Sequence, residues 1–298
     1  MRRRLELSGL EWWAAHPGGA QWLEALPDIV AQCARRWSLD LREPFAPASI
    51  AHVMRVTLAD GTPAVLKVSF PDSESAYEGA ALRLWEGAGA VRVLAEAPEH
   101  RALLLERIEP GTPLIEVAGD DEAGDVVAGL LRRTWRSPPT GHAFTSLVDA
   151  AAGWRRAIPA AWEAAGRPFE RDLVDRATGW LAELGPSQDP PVVLHQDLHA
   201  GNVLRATREP WLIIDPKPLV GEPAFDLAAL LRDRREDLRR DPHPERRVRR
   251  RRDRLTEALG VDRERTRGWA LAHTLAGGGA GQVWFADHVE CARWLDAA

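Results

Sequence analysis

Residues 192–204 read V-V-L-H-Q-D-L-H-A-G-N-V-L, and two chemistries can claim them. His195, Asp197 and His199 alternate as H-x-D-x-H, a pattern that suits a metal-ligand cluster. His195, Asp197 and Asn202 also fit H-x-D-x-x-x-x-N, the catalytic loop of a kinase-type phosphotransferase. The residues around the stretch have to choose between them.

Outward from the motif, V-V-L precedes it, N-V-L-R-A closes it, and W-L-I-I-D at 211–215 follows as a second apolar run, so the motif sits in a hairpin. Most of the chain around it is helical in pattern. Candidate helices lie at about 121–136, 146–165, 169–184, 225–238, 245–259 and 264–276, with a last one near 282–296. The first third has a different texture. After a helix-spaced stretch at 20–39 around Pro27, I-A-H-V-M-R-V-T-L at 50–58 reads as a strand. Asp60-Gly61 reads as a tight turn and P-A-V-L-K-V-S-F at 63–70 as the partner strand. A helix over about 74–87 and strands at Val91–Leu94 and Ala102–Ile108 complete a small sheet with one helix on it. The expected division is therefore 1–108, a sheet-rich lobe with an N-terminal helical extension, and 109–298, a helical lobe carrying the motif. A ligand is expected in the crevice between two such lobes.

The bulk numbers narrow the function classes. A chain of 298 residues can bury two cores. A hydrophobic content of 45%, a charged content of 28% and a mean hydropathy of -0.30 describe a globular protein. The formal net charge of -5 disfavours a general nucleic-acid binder and permits a cationic ligand. Cys33 and Cys291 have no C-x-x-C spacing, which argues against a disulfide-stapled fold or a cysteine zinc site. The N-terminal segment lacks the apolar run of a signal peptide, and no stretch is apolar enough to span a bilayer, so the cytoplasm is the expected address. Of 39 basic residues only Lys67 and Lys217 are lysines.

Phosphoryl transfer from ATP requires a cation on the nucleotide phosphates, oxygen ligands for Mg²⁺, a group that orients the attacking hydroxyl, and a dry cleft. Lys67 in A-V-L-K-V supplies the first. Its neighbours Leu66 and Val68 face the other side of the sheet. Glu78 on the following helix can pair with it, with Glu74 one turn earlier as competitor. Asp197 accepts or orients the hydroxyl proton. Asn202 and Asp215 supply oxygens to the metal, and Asp215 at the end of W-L-I-I needs a cation to justify its position. The metal-cluster reading leaves Asn202 and Asp215 without roles. His195 is then a brace for the loop, and His199 either packs or hydrogen-bonds to the loop's own backbone.

L-H-Q-D-L-H-A-G-N-V-L followed by W-L-I-I-D-P-K-P-L-V-G-E-P-A-F-D-L-A resembles the aminoglycoside phosphotransferases, and more narrowly the aminoglycoside/hydroxyurea antibiotic-resistance kinases. The likeness extends through P-A-V-L-K-V at 63–68, L-R-L-W-E-G-A-G-A-V-R-V-L at 82–94, L-L-L-E-R-I-E-P-G at 103–111, L-R-D-R-R-E-D-L at 231–238 and V-D-R-E-R-T-R-G-W-A-L at 261–271. It implies an α+β, protein-kinase-like two-lobed fold with a small antiparallel sheet plus helix first and a mainly helical lobe second. It further implies ATP and Mg²⁺ as cofactors, Asp197 as catalytic base, Asn202 and Asp215 on the metal, Lys67 on the phosphates, and the backbone of Glu106–Ile108 along the adenine edge. The implied reaction is transfer of the γ-phosphoryl group to a hydroxyl of an aminoglycoside, streptomycin-like by resemblance. Hydroxyurea or another small metabolite is the alternative acceptor, and a degenerate nucleotide binder without turnover is the alternative class.

Two departures from the pattern stand out. The loop E-P-F-A-P-A-S-I-A-H at 43–52 has no glycine to let backbone amides approach phosphate, leaving Ser49 as the available donor. D-P-K replaces D-F-G, and the segment from Asp215 to Pro223 is too short to dock a peptide, so the acceptor is a small molecule. Glu222 and Asp226 are candidate carboxylates for a cationic acceptor, Asp226 having the alternative role of bracing the catalytic loop. Lys217 either touches a phosphate or pairs with Glu222. The acidic run G-D-D-E-A-G-D at 119–125 reads as a helix start. R-R-V-R-R-R-R-D-R at 246–254 reads as the solvated face of an amphipathic helix rather than a nucleic-acid surface. Trp284 and Trp294 are candidate pocket walls.

Overall fold

The computed structural model describes residues 10–45, 51–280 and 283–298. The chain divides into two compact units, one ending at Glu109 and one starting at Pro110.

In the first unit, helix α1 (Gly19–Arg36) precedes an antiparallel sheet. Its strands are β1 (Asp40–Pro44), β2 (Ala51–Thr57), β3 (Pro63–Ser69), β4 (Val93–Ala97) and β5 (Ala102–Glu106), in the order β1-β2-β3-β5-β4. β2 and β3 form the hairpin expected from the sequence. Gly61 adopts φ +87, Asp60 Oδ1 accepts the Thr62 amide at 2.9 Å, and Leu58 and Thr62 close the turn. Alternation then sorts the two sheet faces. Met54, Val56, Ala64, Leu66, Val68 and Leu104 pack with Trp22, Leu26, Val30 and Cys33 of α1 in one core. Pro27 sits inside α1 on its exposed side, where a missing amide faces water.

The opposite sheet face carries Lys67. Helix α2 (Glu78–Trp85) lies close to the sheet because Gly79 has no side chain: a Cβ there would come within 2.9 Å of both Glu96 Oε2 and Leu103 Cδ2. The strand expected at Val91–Leu94 runs instead from Val93 to Ala97. Arg92 is drawn out of it, its amide donating to Glu106 Oε1 (2.9 Å) and its carbonyl accepting the Glu106 amide (3.0 Å). The same contacts end β5 at Glu106 rather than Ile108.

In the second unit, β6 (Pro110–Pro113), α3 (Leu114–Val117), α4 (Asp120–Thr134), β7 (Thr145–Ser146), α5 (Leu147–Ala164) and α6 (Arg171–Leu184) lead to β8 (Val192–Leu194). Then come β9 (Val203–Ala206), β10 (Trp211–Ile213), β11 (Leu219–Gly221), α7 (Ala228–Leu231), α8 (Arg235–Arg240), α9 (Pro244–Leu259) and α10 (Arg263–Ala276). A short pair, β12 (Gly279–Ala280) with β13 (Val283–Trp284), and α11 (Ala286–Ala297) finish the chain. The small sheets β10-β9-β6 and β7-β11-β8 hold the central motif, and α10 packs on α5, α6 and α11.

Two expectations need correction. The helix expected over 225–238 is broken: a 3-10 turn at Pro223–Leu227 leads into α7, and Arg234 with φ +54 separates α7 from α8. The cause is tertiary. The buried Arg251 guanidinium takes the carbonyls of Leu230 (3.0 Å), Leu231 (3.2 Å) and Asp233 (2.9 Å), which a continuous helix would have bonded internally. The arginines of α9 are also not simply solvated. Arg251 and Arg252 are buried, and Asp120 at the start of α4 receives Arg247 (2.7 Å) and Arg251 (2.9 Å). Burial raises the Asp120 pKa, but the two guanidinium groups outweigh it and hold the carboxyl at about 2. Arg250 pairs with Asp121 and Arg254 with Asp125, so the acidic and basic runs neutralise each other. Among the described residues no helix is long and apolar enough to cross a membrane.

Candidate active site

The first unit contributes an orienting ion pair. Lys67 Nζ donates to both Glu78 oxygens at 2.7 Å, and the two side chains are 8% and 4% exposed. Glu78 can meet Lys67 because α2 starts at Glu78 and turns that position inward. Val53 is paired with Lys67, and Val65 with Leu105, along the neighbouring strands. These positions give the Lys67 face an apolar floor that ends at Glu106, with Ile108 half-buried beyond it. Ser49 lies outside the described residues. Before it, Arg55 stacks on Phe45 at 3.9 Å and donates to the Pro44 carbonyl at 3.0 Å.

The second unit holds the loop after β8. Asp226, 1% exposed, accepts the His195 amide at 2.9 and 3.0 Å, the Gln196 amide at 2.7 Å and Trp135 Nε1 at 3.0 Å. Burial pushes its carboxyl pKa up, opposed by His195 and by those hydrogen bonds. Asp226 is thus the brace of the loop, and the acceptor role considered for it is set aside. His195 is buried, which lowers its pKa, and its Nε2 meets the Ile214 carbonyl at 3.0 Å. The Ile214 amide returns to the Asn202 carbonyl at 3.0 Å, and the Lys217 amide to the His195 carbonyl at 3.0 Å. At the far end of the loop Asp233 accepts the Ala200 amide at 2.8 Å. The loop is therefore fastened at both ends by buried or half-buried carboxylates.

Asp197 and Asn202 lie on this frame, and Asp215 follows Ile214, whose amide is bonded to the Asn202 carbonyl. The Asn202 side-chain amide donates to the Asp197 carbonyl at 3.0 Å, which turns its carboxamide oxygen away. Asp215 follows β10 with φ +61, and Gln196 beside Asp197 has φ +69. Left-handed non-glycine residues cost about 1 kcal/mol or more and gather where function fixes a side chain. Asp197 keeps 23% of its side chain exposed. Lys217 Nζ lies 3.2 Å from Asp197 Oδ2, and Arg232 Nη2 lies 3.8 Å from Oδ1. Arg232 is held in turn by His273 Nδ1 at 3.0 Å. Burial, then the charge of Arg232, drives the His273 pKa well down, so that nitrogen accepts.

Several sequence expectations change here. Lys217 pairs with Asp197. Glu222 is fully buried, bound by Arg265 at 2.7 and 2.8 Å and by Trp269 Nε1, so it is closed to any acceptor. Its proximity in sequence to Asp215 carried no information about exposure. His199 Nδ1 accepts the Gly201 amide at 3.1 Å, and among the described residues no three His, Cys, Asp or Glu side chains converge as a metal site. Sequence reasoning missed Arg232, Asp233 and Trp135, whose partners lie 30 or more positions away along the chain.

The sequence model of the aminoglycoside/hydroxyurea antibiotic resistance kinases matches residues 36–288. Over 258 residues the chain is 41% identical to streptomycin 6-kinase of Streptomyces glaucescens, covering 86% of this chain and 83% of that one. Over 264 residues it is 42% identical to hydroxyurea phosphotransferase of Kitasatospora aureofaciens, covering 86% and 73%. The fold is similar to that of the aminoglycoside phosphotransferase APH(3'')-Id from Streptomyces rimosus, solved with ADP and streptomycin. That match has a TM-score of 0.59 at 21% identity and covers 86% of this chain and 99% of that one. The chain belongs to the aminoglycoside/hydroxyurea antibiotic resistance kinase family and is a small-molecule phosphotransferase with a protein-kinase-like fold.

Proposed function

We propose that the protein transfers the γ-phosphoryl group of ATP to a hydroxyl of a streptomycin-class aminoglycoside. The observation that carries the reaction type is Asp197: a partly open carboxylate on a loop whose backbone is locked by Asp226 and Asp233. The acceptor follows the 41% identity to a streptomycin 6-kinase.

In this reading Asp197 orients the acceptor hydroxyl and takes its proton as the oxygen attacks phosphorus in line, with ADP leaving on the opposite side. Lys67, aimed by Glu78, holds the nucleotide phosphates, and the Glu106–Ile108 backbone meets the adenine. Asn202 and Asp215 offer two hard oxygen donors. That set fits Mg²⁺, which keeps waters and takes its remaining ligands from phosphate. Bound there, the ion neutralises phosphate charge. The positive φ of Asp215 is the strain expected of a carboxylate fixed for such a ligand.

A second acceptor, hydroxyurea, is favoured by two observations. A hydroxyurea phosphotransferase is 42% identical, and the two carboxylates considered for a cationic ligand, Glu222 and Asp226, are buried and engaged. A coupled ADP-release assay with streptomycin, other aminoglycosides and hydroxyurea separates the two. Streptomycin is expected to raise ADP production most, and a response to hydroxyurea alone moves the acceptor while keeping the chemistry. Asp197→Asn should lower turnover about 10²- to 10⁴-fold with ADP affinity retained. An Asp197→Asn variant as active as the wild type would end the phosphotransfer assignment to this loop.

A further inference from the structure

The chain uses 39 basic residues, and all but two are arginine. Arginine fills its ion pairs with Asp120, Glu170, Glu222 and Glu264, where a planar fork suits a carboxylate. The two lysines therefore mark positions where a fork does not serve. Lys67 is one, accounted for above. Lys217 is the other.

Lys217 is built into place. Its amide is bonded to the His195 carbonyl at 3.0 Å, and it stands between Pro216 and Pro218, whose rings fix their own φ. Its ammonium lies 3.2 Å from one oxygen of Asp197, with 20% of the lysine side chain and 23% of the aspartate side chain exposed. A pair that open contributes little to stability, about 0–1 kcal/mol. A guanidinium at the same point could engage both Asp197 oxygens and hold them from a hydroxyl. A compact ammonium leaves the carboxylate able to turn. The other nearby cation, Arg232, is farther at 3.8 Å and anchored on His273.

We propose that Lys217 is a catalytic residue, whose ammonium hydrogen-bonds a non-bridging oxygen of the phosphoryl group in transit while Asp197 holds the receiving hydroxyl. This rests on the phosphotransferase reading above. The acceptor oxygen forms its bond to phosphorus as the bond from phosphorus to the bridging oxygen of ADP breaks. That electron pair leaves with ADP, and the hydroxyl proton passes to the Asp197 carboxylate. Lys217 neither gives nor takes a proton. Its charge meets the negative charge carried by the non-bridging oxygens at the midpoint of transfer.

The test compares Lys217→Met, Lys217→Arg and Lys217→Cys, the last before and after alkylation with 2-bromoethylamine, which rebuilds a lysine-like ammonium. Cys33 and Cys291 are buried, so alkylated wild type serves as the control. Lys217→Met should lower kcat about 10²- to 10³-fold with KM for ATP and acceptor within about threefold. Lys217→Arg should recover less than about a tenth of wild-type kcat, and the alkylated cysteine variant should come within about tenfold of it. ADP affinity by calorimetry should be the same in every variant. The proposal is overturned by a Lys217→Met kcat within about threefold of wild type, by a loss confined to KM, by full recovery with arginine, or by loss of ADP binding. If no acceptor in the panel is phosphorylated, the acceptor assignment fails. Lys217 is then still read on slow ATP hydrolysis to water: a fall in Lys217→Met supports it, and an unchanged rate overturns it.

Discussion

Lys67 and Lys217 make the same kind of ion pair in opposite surroundings. The Lys67–Glu78 pair is sealed, with both carboxylate oxygens at 2.7 Å and almost no exposed side chain. The Lys217–Asp197 pair is looser, at 3.2 Å to one oxygen, and about a fifth of each side chain reaches solvent. Removing one partner of a sealed pair strands the other charge in a poor solvent, whereas water rescues the survivor of an open pair. The sealed pair is therefore a fixture that aims an ammonium. The open pair has groups that can exchange each other for a substrate.

The sharpest way to break this contrast is Glu78→Gln. It should cost about 3–5 kcal/mol of stability because the buried Lys67 ammonium keeps its charge and loses the carboxylate it donates to twice. Lys217→Met should cost less than about 1 kcal/mol. Chemical denaturation of both variants checks the pair together. Equal losses would mean that burial does not separate the two roles.

Next in size is Asp226→Asn. The carboxylate accepts from three N–H groups, and an amide must turn one N–H toward them. About 2–3 kcal/mol should be lost, with a fall in kcat, because the His195–Gln196 backbone loses its seat. Hydrogen exchange at the His195 and Gln196 amides is the direct readout. Unchanged protection there would show that the hairpin alone holds the loop.

The features that read plainly in the sequence are those set by local spacing. The β2–β3 hairpin announced itself through Asp60-Gly61 between alternating apolar runs. Lys67 and Glu78 were legible because strand alternation and helix phase each fix one side chain. The loop of Asp197 and Asn202 was legible because its residue types recur at fixed offsets. What did not read were pairings set by distant chain. Residues 225–238 have a helical pattern after Pro223 and contain no glycine, and only Arg251, arriving from α9, shows why the helix breaks there. Glu222 resembled a surface carboxylate until Arg265 and Trp269 closed over it. The acidic run at 119–125 and the basic run at 246–254 each had a bland local explanation, and nothing local said that they face one another.

The two units should also separate in acid. Burial lowers the pKa of His52 in the first unit, and of His195 and His273 in the second; burial and then Arg232 bring His288 to about 4. Each imidazole is neutral when folded and titrates near 6.5 when unfolded, so the unfolded chain binds more protons below that value. Their contribution is present above about pH 6.5 and is lost as pH falls toward 4. Asp226 works the other way, since its raised pKa makes the folded state the better proton binder as pH falls. Three groups against one leave the second unit more acid-sensitive. Hydrogen exchange at pH 7 and pH 5 should show protection falling more in α10 than in β2 and β3, and the reverse order would contradict the assignment of neutral buried imidazoles.

The smallest expected effect is at an exposed arginine of α9, set against its buried neighbour. Arg250 and Arg251 are neighbours on α9, and both point carboxylate-ward at the start of α4. Arg250 is 72% exposed and binds Asp121, itself 44% exposed. Its replacement by alanine leaves two hydrated groups, and Tm should stay within about 1 °C of wild type. Arg251 is 6% exposed and holds three carbonyls as well as Asp120. Arg251→Ala strands those acceptors where α7 ends and should cost about 3 kcal/mol or more. The loss also loosens Asp233, whose carboxylate seats the Ala200 amide ahead of Asn202, so kcat should fall for Arg251→Ala and not for Arg250→Ala. Identical behaviour of the two variants would mean that charge count, rather than burial, governs the ion pairs of this chain.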